Sequence, residues 1–150
     1  MTTTSEILEA AQQRAKQMGL PYEGALLPKE AYELLQHLPS AKLVDVRTRA
    51  ELEWVGQVRG AVAIEWKSYP SMQLNSQFAD QLGKQVDPNA VVMFLCRSGG
   101  RSHEAAAVAE QAGYAHAYNV LEGFEGDRDR SGHRNSVGGW RAAGLPWVQG

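Results

Sequence analysis

Val91 to Ser102 reads VVMFLCRSGGRS, and this stretch decides both the fold and the chemistry the chain can carry. Val91 to Leu95 is an unbroken run of β-branched, aromatic and aliphatic residues, the pattern of a parallel strand buried on both faces. Cys96 stands at the carboxyl end of that strand. A glycine- and serine-rich loop follows, then HEAAAVAEQA, a run of good helix formers opening at Arg101 or Ser102 and stopping at Gly113, which can take the left-handed C′ conformation. The chain's single cysteine is therefore expected between a strand and a helix N-terminus. Unpaired N–H groups of that helix and of residues 97–101 can converge there on one centre, a positive concavity suited to a thiolate or an oxyanion. Gly99 and Gly100 open backbone angles closed to other residues. Arg97 and Arg101 add guanidinium charge, which favours the thiolate form of a cysteine, as a helix N-terminus does. Inert burial is the bland alternative for a lone cysteine. The two arginines, two serines and paired glycines around it argue against that, because an inert core position has no use for so many polar neighbours. Cys96 is thus the candidate nucleophile. Arg97, Ser98, Gly99, Gly100, Arg101 and Ser102 are the candidate substrate-binding residues, with the serine hydroxyls either donating to the sulfur or capping the helix.

Four residues separate Cys96 from Arg101. This tight ring resembles the active-site loop of rhodanese-like sulfurtransferases, whose cysteine carries a transferable sulfur as a persulfide. Tyrosine and dual-specificity phosphatases have a ring one residue wider, which wraps a phosphate. The resemblance extends from about Gly24 to Val148. KLVDVRTRAE, residues 42–51, is similar to the family's strand with Asp-Val-Arg and a glutamate after it. GQVRGA, residues 56–61, is similar to Gly-His-Ile-Pro-Gly-Ala, with Gln57 in place of the usual His and Arg59 in place of the usual Pro. GGWRAAGLP, residues 138–146, is similar to the family's closing segment.

The resemblance implies an α/β fold with a mostly parallel central sheet of about five strands and helices on both faces. It gives Asp45, Arg47 and Glu51 supporting roles, with Arg47 and Glu51 forming an ion pair and Asp45 near the loop. Arg101 is expected to close the loop by pairing with a carboxylate, and Arg97 to draw in the donor. The implied reaction moves sulfur from an anionic donor such as thiosulfate to cyanide in vitro, or to a thiol or protein acceptor in the cell. No metal and no organic cofactor is implied. Two rival readings use the same residues: a persulfide carrier or regulatory interaction module without steady-state turnover, which acts only when a partner accepts the sulfur, and a phosphatase or arsenate reductase.

Composition narrows the classes further. A chain of 150 residues suffices for one domain with a core, so residues 1–150 are expected to form a single domain. A net charge of −2 with interspersed signs gives no polyanion-binding face, so nucleic acid is not an expected partner. No run approaches a membrane span or a signal peptide, and the expected location is the cytoplasm. One cysteine excludes an internal resolving thiol and a multi-cysteine metal site, and His37, His103, His116 and His133 are too scattered to suggest a metal cluster.

Along the chain, Ile7, Leu8, Ala11, Ala15 and Met18 recur at helical spacing, with Ser5 as N-cap and Gly19 as stop, so residues 1–20 are expected to hold a helix. It either covers the domain's own core or, as the sharper alternative, makes a homodimer. Gly24–Leu27 reads as a strand; Pro28 opens a helix with Ala31, Leu34, Leu35 and Leu38 inward, ending before Pro39. Lys42–Val46 and Val62–Trp66 read as strands, Thr48 with Glu51 as a capping box, and Gln73–Leu82 as a helix burying Leu74, Phe78 and Leu82. Ala117–Leu121 reads as the last strand and Trp140–Ala143 as a closing helix. Between them, residues 124–137, FEGDRDRSGHRNSV, form a polar insertion without periodicity. It is either a solvated loop or a device that brings Arg128, Arg130, His133 and Arg134 over the site to select an acceptor.

Overall fold

The computed structural model describes residues 3–149 and follows the order α1 (Thr4–Met18), β1 (Gly24–Leu26), α2 (Pro28–His37), β2 (Ala41–Asp45), α3 (Arg49–Trp54), β3 (Val62–Ala63), β4 (Lys67–Ser68), β5 (Gln73–Leu74), α4 (Phe78–Gln85), β6 (Val91–Leu95), α5 (Gly100–Gln111) and β7 (Ala117–Val120). Five strands form one parallel sheet in the order β1-β7-β6-β2-β3, and β4 pairs antiparallel with β5 in a separate hairpin. The α/β reading with a parallel sheet of five strands is borne out.

The apolar run Val91–Leu95 occupies the middle of the sheet and is buried throughout, as a strand covered on both faces must be. Its side chains alternate between two cores. Val92 and Phe94 pack with Phe78 and Leu82 of α4 and with Ala105, Ala106 and Ala109 of α5, whereas Val91, Met93 and Leu95 pack with Ile7 and Ala11 of α1 and Ala31 and Leu34 of α2. Cys96 continues the first set and so faces α5. The alanines of α5 bring that helix close to the sheet, which holds its N-terminus at the end of β6.

Several elements depart from the sequence expectations. Thr3, not Ser5, caps α1: its hydroxyl accepts from Glu6 N at 3.1 Å while the Glu6 carboxylate accepts from Thr3 N, and only Thr3 has glutamate three residues on. Met18 is exposed, so the buried stripe of α1 is Ile7, Ala11 and Ala15. The strand expected over Val62–Trp66 is two residues long; beyond it, single bonds from Ile64 N to Asp45 O and from Trp66 N to Val46 O replace a ladder as the chain turns into the β4–β5 hairpin. The helix expected over Gln73–Leu82 begins only at Phe78. Asn75 stops it earlier, because its side chain bonds Glu65 O and Gln77 N and fixes a turn, which leaves Leu74 exposed on β5. The closing helix expected over Trp140–Ala143 is a set of turns between Gly139 (φ 105°) and Gly144 (φ 77°). Trp140 is nonetheless fully buried, and its indole N–H donates to Pro146 O.

Candidate active site

Parallel strands deliver their carboxyl ends to one edge of the sheet, so Asp45 on β2, Cys96 after β6 and Asn119 on β7 arrive side by side. Cys96 Sγ turns into the loop that follows it. It accepts the Gly99 N–H at 3.1 Å and lies 3.3 Å from Ser102 Oγ, with only 1% of the residue exposed. Gly99, the N-cap of α5, has φ 110°, a conformation glycine adopts freely, and this turn aims its N–H at the sulfur. Ser102 also donates to Asn119 Oδ1 at 2.6 Å, and Asn119 Nδ2 donates to Gly99 O at 3.3 Å. Strand β7 thereby braces the loop and the first turn of α5. Of the two candidate serines, Ser102 meets the sulfur, while Ser98 is half-buried in the loop.

The loop's second brace is ionic. Arg101 donates both guanidinium arms to Glu51, at 2.7 and 2.9 Å, as expected of a loop-closing arginine. Glu51 completes the capping box of α3 with Thr48 at the same time. Burial alone would raise the Glu51 pKa, but the Arg101 and Thr48 donors outweigh it and lower it to about 2. The expected Arg47–Glu51 ion pair is absent. Arg47 instead chelates Asp45, with Nε at 2.9 Å and Nη2 at 2.7 Å, and donates to Gly56 O at 2.8 Å. The reason is positional: Asp45 and Arg47 sit on the same side of an extended chain, while Glu51 is carried by α3 toward the loop. Arg47 also lies 4.2 Å from the Phe124 ring centre, and Phe124 N donates to Cys96 O at 2.8 Å. The Asp45–Arg47 pair is thus linked to the loop through Phe124, at one remove from the sulfur.

Arg97 is exposed and makes no ion pair among the described residues. With Arg101 it lines a cavity of about 390 Å³, which Glu51, Glu125, Trp54, Tyr69 and Met72 also line. A larger groove of about 870 Å³, between α3 and the β3–β5 segment, holds none of the loop's residues. Of the polar insertion, Glu125 lines the cavity, whereas Arg128, Arg130, His133 and Arg134 do not. Arg134 is used within the insertion, donating to Gly126 O at 2.7 Å, and Asp129 collects the Ser131 and His133 N–H groups. His103 bonds the Tyr22 hydroxyl at 2.7 Å, and no group of metal-ligating residues occurs among the described residues.

Sequence reasoning passed over Asn119, Gly123 and the cavity's apolar wall. Asn119 did carry a signal, as the one amide in the buried strand AYNV. Gly123 (φ 64°) lies so close to the loop that a Cβ there would stand 2.5 Å from Arg97 C and O and from Cys96 O.

Comparison with known proteins places the chain among relatives of the same fold. The chain is 46% identical in sequence to the structure of Rv0390 from M. tuberculosis, with a TM-score of 0.79 over 86% of this chain and 99% of that one. It is 37% identical over 125 residues to the protein RC0915 of Rickettsia conorii, covering 79% of this chain and 91% of that one. It shares its fold with the polysulfide-sulfur transferase homodimer of Wolinella succinogenes, at 24% identity and a TM-score of 0.60, over 99% of this chain and 95% of that one. The family described as the Rhodanese-like domain matches residues 27–129, and this chain belongs to it.

Proposed function

We propose that the chain is a sulfurtransferase acting through a Cys96 persulfide. The observation that carries this reading is the position of Sγ inside a six-residue loop, taking the Gly99 N–H and touching Ser102 Oγ. The Cys96 thiolate attacks the outer sulfur of thiosulfate; the new S–S bond forms as the old one breaks, and sulfite leaves with the electron pair. The product, a persulfide anion, keeps the charge of the thiolate, so no proton moves in this step. A thiophilic acceptor, cyanide in the assay or a thiol or protein in the cell, then takes the outer sulfur and restores the thiolate. Such two-step covalent transfer gives ping-pong kinetics. Arg97 meets the donor's negative charge, while Arg101, held by Glu51, keeps the loop's curvature. Residues 1–150 act as one domain in the cytoplasm, and the Asp45–Arg47 pair serves as scaffold.

The deciding measurement is the intact mass after thiosulfate treatment. One added sulfur on the wild-type chain, absent from Cys96→Ser together with thiosulfate:cyanide turnover, supports the assignment. Undiminished turnover in Cys96→Ser rejects it. Hydrolysis of an aryl phosphate by the pure protein, without persulfide, would favour the phosphatase reading instead.

A further inference from the structure

Tyr22, in the segment between α1 and β1, is buried, and its hydroxyl lies 2.7 Å from His103 Nδ1 on α5, the two rings meeting edge to face with centres 5.4 Å apart. Its second polar neighbour is Asn119. Burial raises the Tyr22 pKa, and a hydrogen bond from the Asn119 amide offsets part of that rise, which makes the tyrosyl oxygen the acceptor. The Tyr22 proton is then free for His103 Nδ1, so a neutral His103 carries its own proton on Nε2.

Asn119 joins this pair to the loop. Its Nδ2 donates to Tyr22 and, at 3.3 Å, to Gly99 O, which leaves Oδ1 to accept the Ser102 hydroxyl at 2.6 Å. Ser102 Oγ in turn stands 3.3 Å from Cys96 Sγ. Side chains from the α1–β1 segment, α5 and β7 thus form one hydrogen-bonded chain that runs from His103 to the sulfur. A buried tyrosine needs a partner for its hydroxyl, and His103 alone would satisfy that. The contact with Asn119 does something more. An amide whose N–H groups are both engaged holds its oxygen where it is, and here that oxygen holds Ser102. A helical serine can otherwise turn its hydroxyl back to the carbonyl of the preceding turn, away from the sulfur.

We propose that Tyr22 and His103 are positioning residues for Cys96, acting through Asn119 to keep the Ser102 hydroxyl beside the sulfur. The role in turnover rests on the sulfur-transfer reading, whereas the reactivity of the thiolate is measurable without any sulfur donor.

Two rates on the full chain test it, both followed by intact mass on its single cysteine: single-turnover persulfide formation from thiosulfate, and alkylation by iodoacetamide at mildly acidic pH, where lost stabilisation of the thiolate slows the reaction. Tyr22→Phe is expected to slow both about fivefold and His103→Ala about threefold, the range of one lost hydrogen bond. His103→Asn, whose carbonyl oxygen can take the place of Nδ1, is expected to recover the wild-type rates. In a Ser102→Ala background, itself about tenfold slow, Tyr22→Phe is expected to add less than about twofold, because the hydroxyl it positions is gone. Tyr114→Phe removes another buried tyrosyl hydroxyl, bonded to Val86 O, and leaves both rates unchanged. Wild-type rates in Tyr22→Phe and His103→Ala overturn the proposal. So does a fivefold loss that multiplies with that of Ser102→Ala, which marks general damage to the fold. Should Tyr22→Phe lower Tm, His103→Ala against His103→Asn gives the same decision. Alkylation that follows the expected pattern while no persulfide forms leaves the positioning role standing and refutes sulfur transfer from thiosulfate. Persulfide formation untouched by Tyr22→Phe and His103→Ala does the reverse.

Discussion

At Cys96 the local chemistry turns on one hydroxyl. Ser102 has a single proton to give, and at 2.6 Å from Asn119 Oδ1 it is donated there, so the Ser102 lone pairs face the sulfur at 3.3 Å. A negative sulfur draws that proton away from Asn119, since hydrogen bonds to charged acceptors are the stronger ones. Ser102→Ala is therefore expected to slow single-turnover persulfide formation about tenfold, equivalent to about 1.4 kcal/mol, as read by time-resolved intact mass. The end point should remain one added sulfur, because the Gly99 N–H is untouched. At Gly123 the constraint is steric. A methyl group there meets main-chain atoms of Cys96 and Arg97 that cannot swing aside, on a backbone already at positive φ. Gly123→Ala is expected to cost at least about 2 kcal/mol in denaturant unfolding and to reduce persulfide formation with it.

Among the elements, α3 and the loop opening α5 are joined through Glu51, which serves both as the capping carboxylate of α3 and as the partner of Arg101. Its pKa is about 2 in the folded protein against 4.5 for the free side chain, so the unfolded chain takes up the proton first as pH falls. The stability Glu51 contributes is complete above about pH 4.5, drains away as pH falls toward 2, and is gone below it. After allowance for partial exposure this amounts to about 2 kcal/mol. Glu51→Gln should flatten that part of the stability–pH curve and lower stability at neutral pH by a similar amount, checked by urea titrations at several pH values. On the opposite face, α1 lies close to the sheet through alanine. Ala11 is fully buried and contacts the position of Gly24 beside Tyr118, so Ala11→Leu is expected to destabilise the fold by about 1–3 kcal/mol through overpacking, read as a lower Tm.

Over the whole molecule, the parallel sheet sets the site at the carboxyl edge, and the chain after β7 returns to lock it: Phe124 N to Cys96 O, Glu125 N to Arg97 O, then Trp140 buried beneath. Beyond Gly126, whose N–H reaches Arg97 O, the insertion closes on itself through Asp129 and Arg134 and leaves the cavity to other segments. Replacing residues 128–133 by a short glycine linker is expected to change the rate of persulfide formation by less than about twofold, as for an ordinary surface loop. What the sequence by itself determined was local: an apolar five-residue run reads as a buried strand, alanine-rich turns read as a helix, and a cysteine between them must sit at a helix N-terminus, since each of these depends on neighbours in the chain. The capping box at Thr48 and Glu51 was legible for the same reason. Two of the elements misread are ones where a side chain or a glycine outside the periodicity intervened, as Asn75 does before α4 and Gly139 and Gly144 do around Trp140; the strand expected over Val62–Trp66 was cut short where the chain leaves the sheet for the β4–β5 hairpin. Only the tertiary structure decided the partners: Glu51 meets Arg101 across fifty positions, Asn119 on β7 reaches Ser102 on α5, and Trp54, Tyr69 and Met72 share a wall. The physical reason is that such pairings are set by where the sheet and its crossovers place distant segments, and nothing in the spacing of residues along the chain encodes that distance.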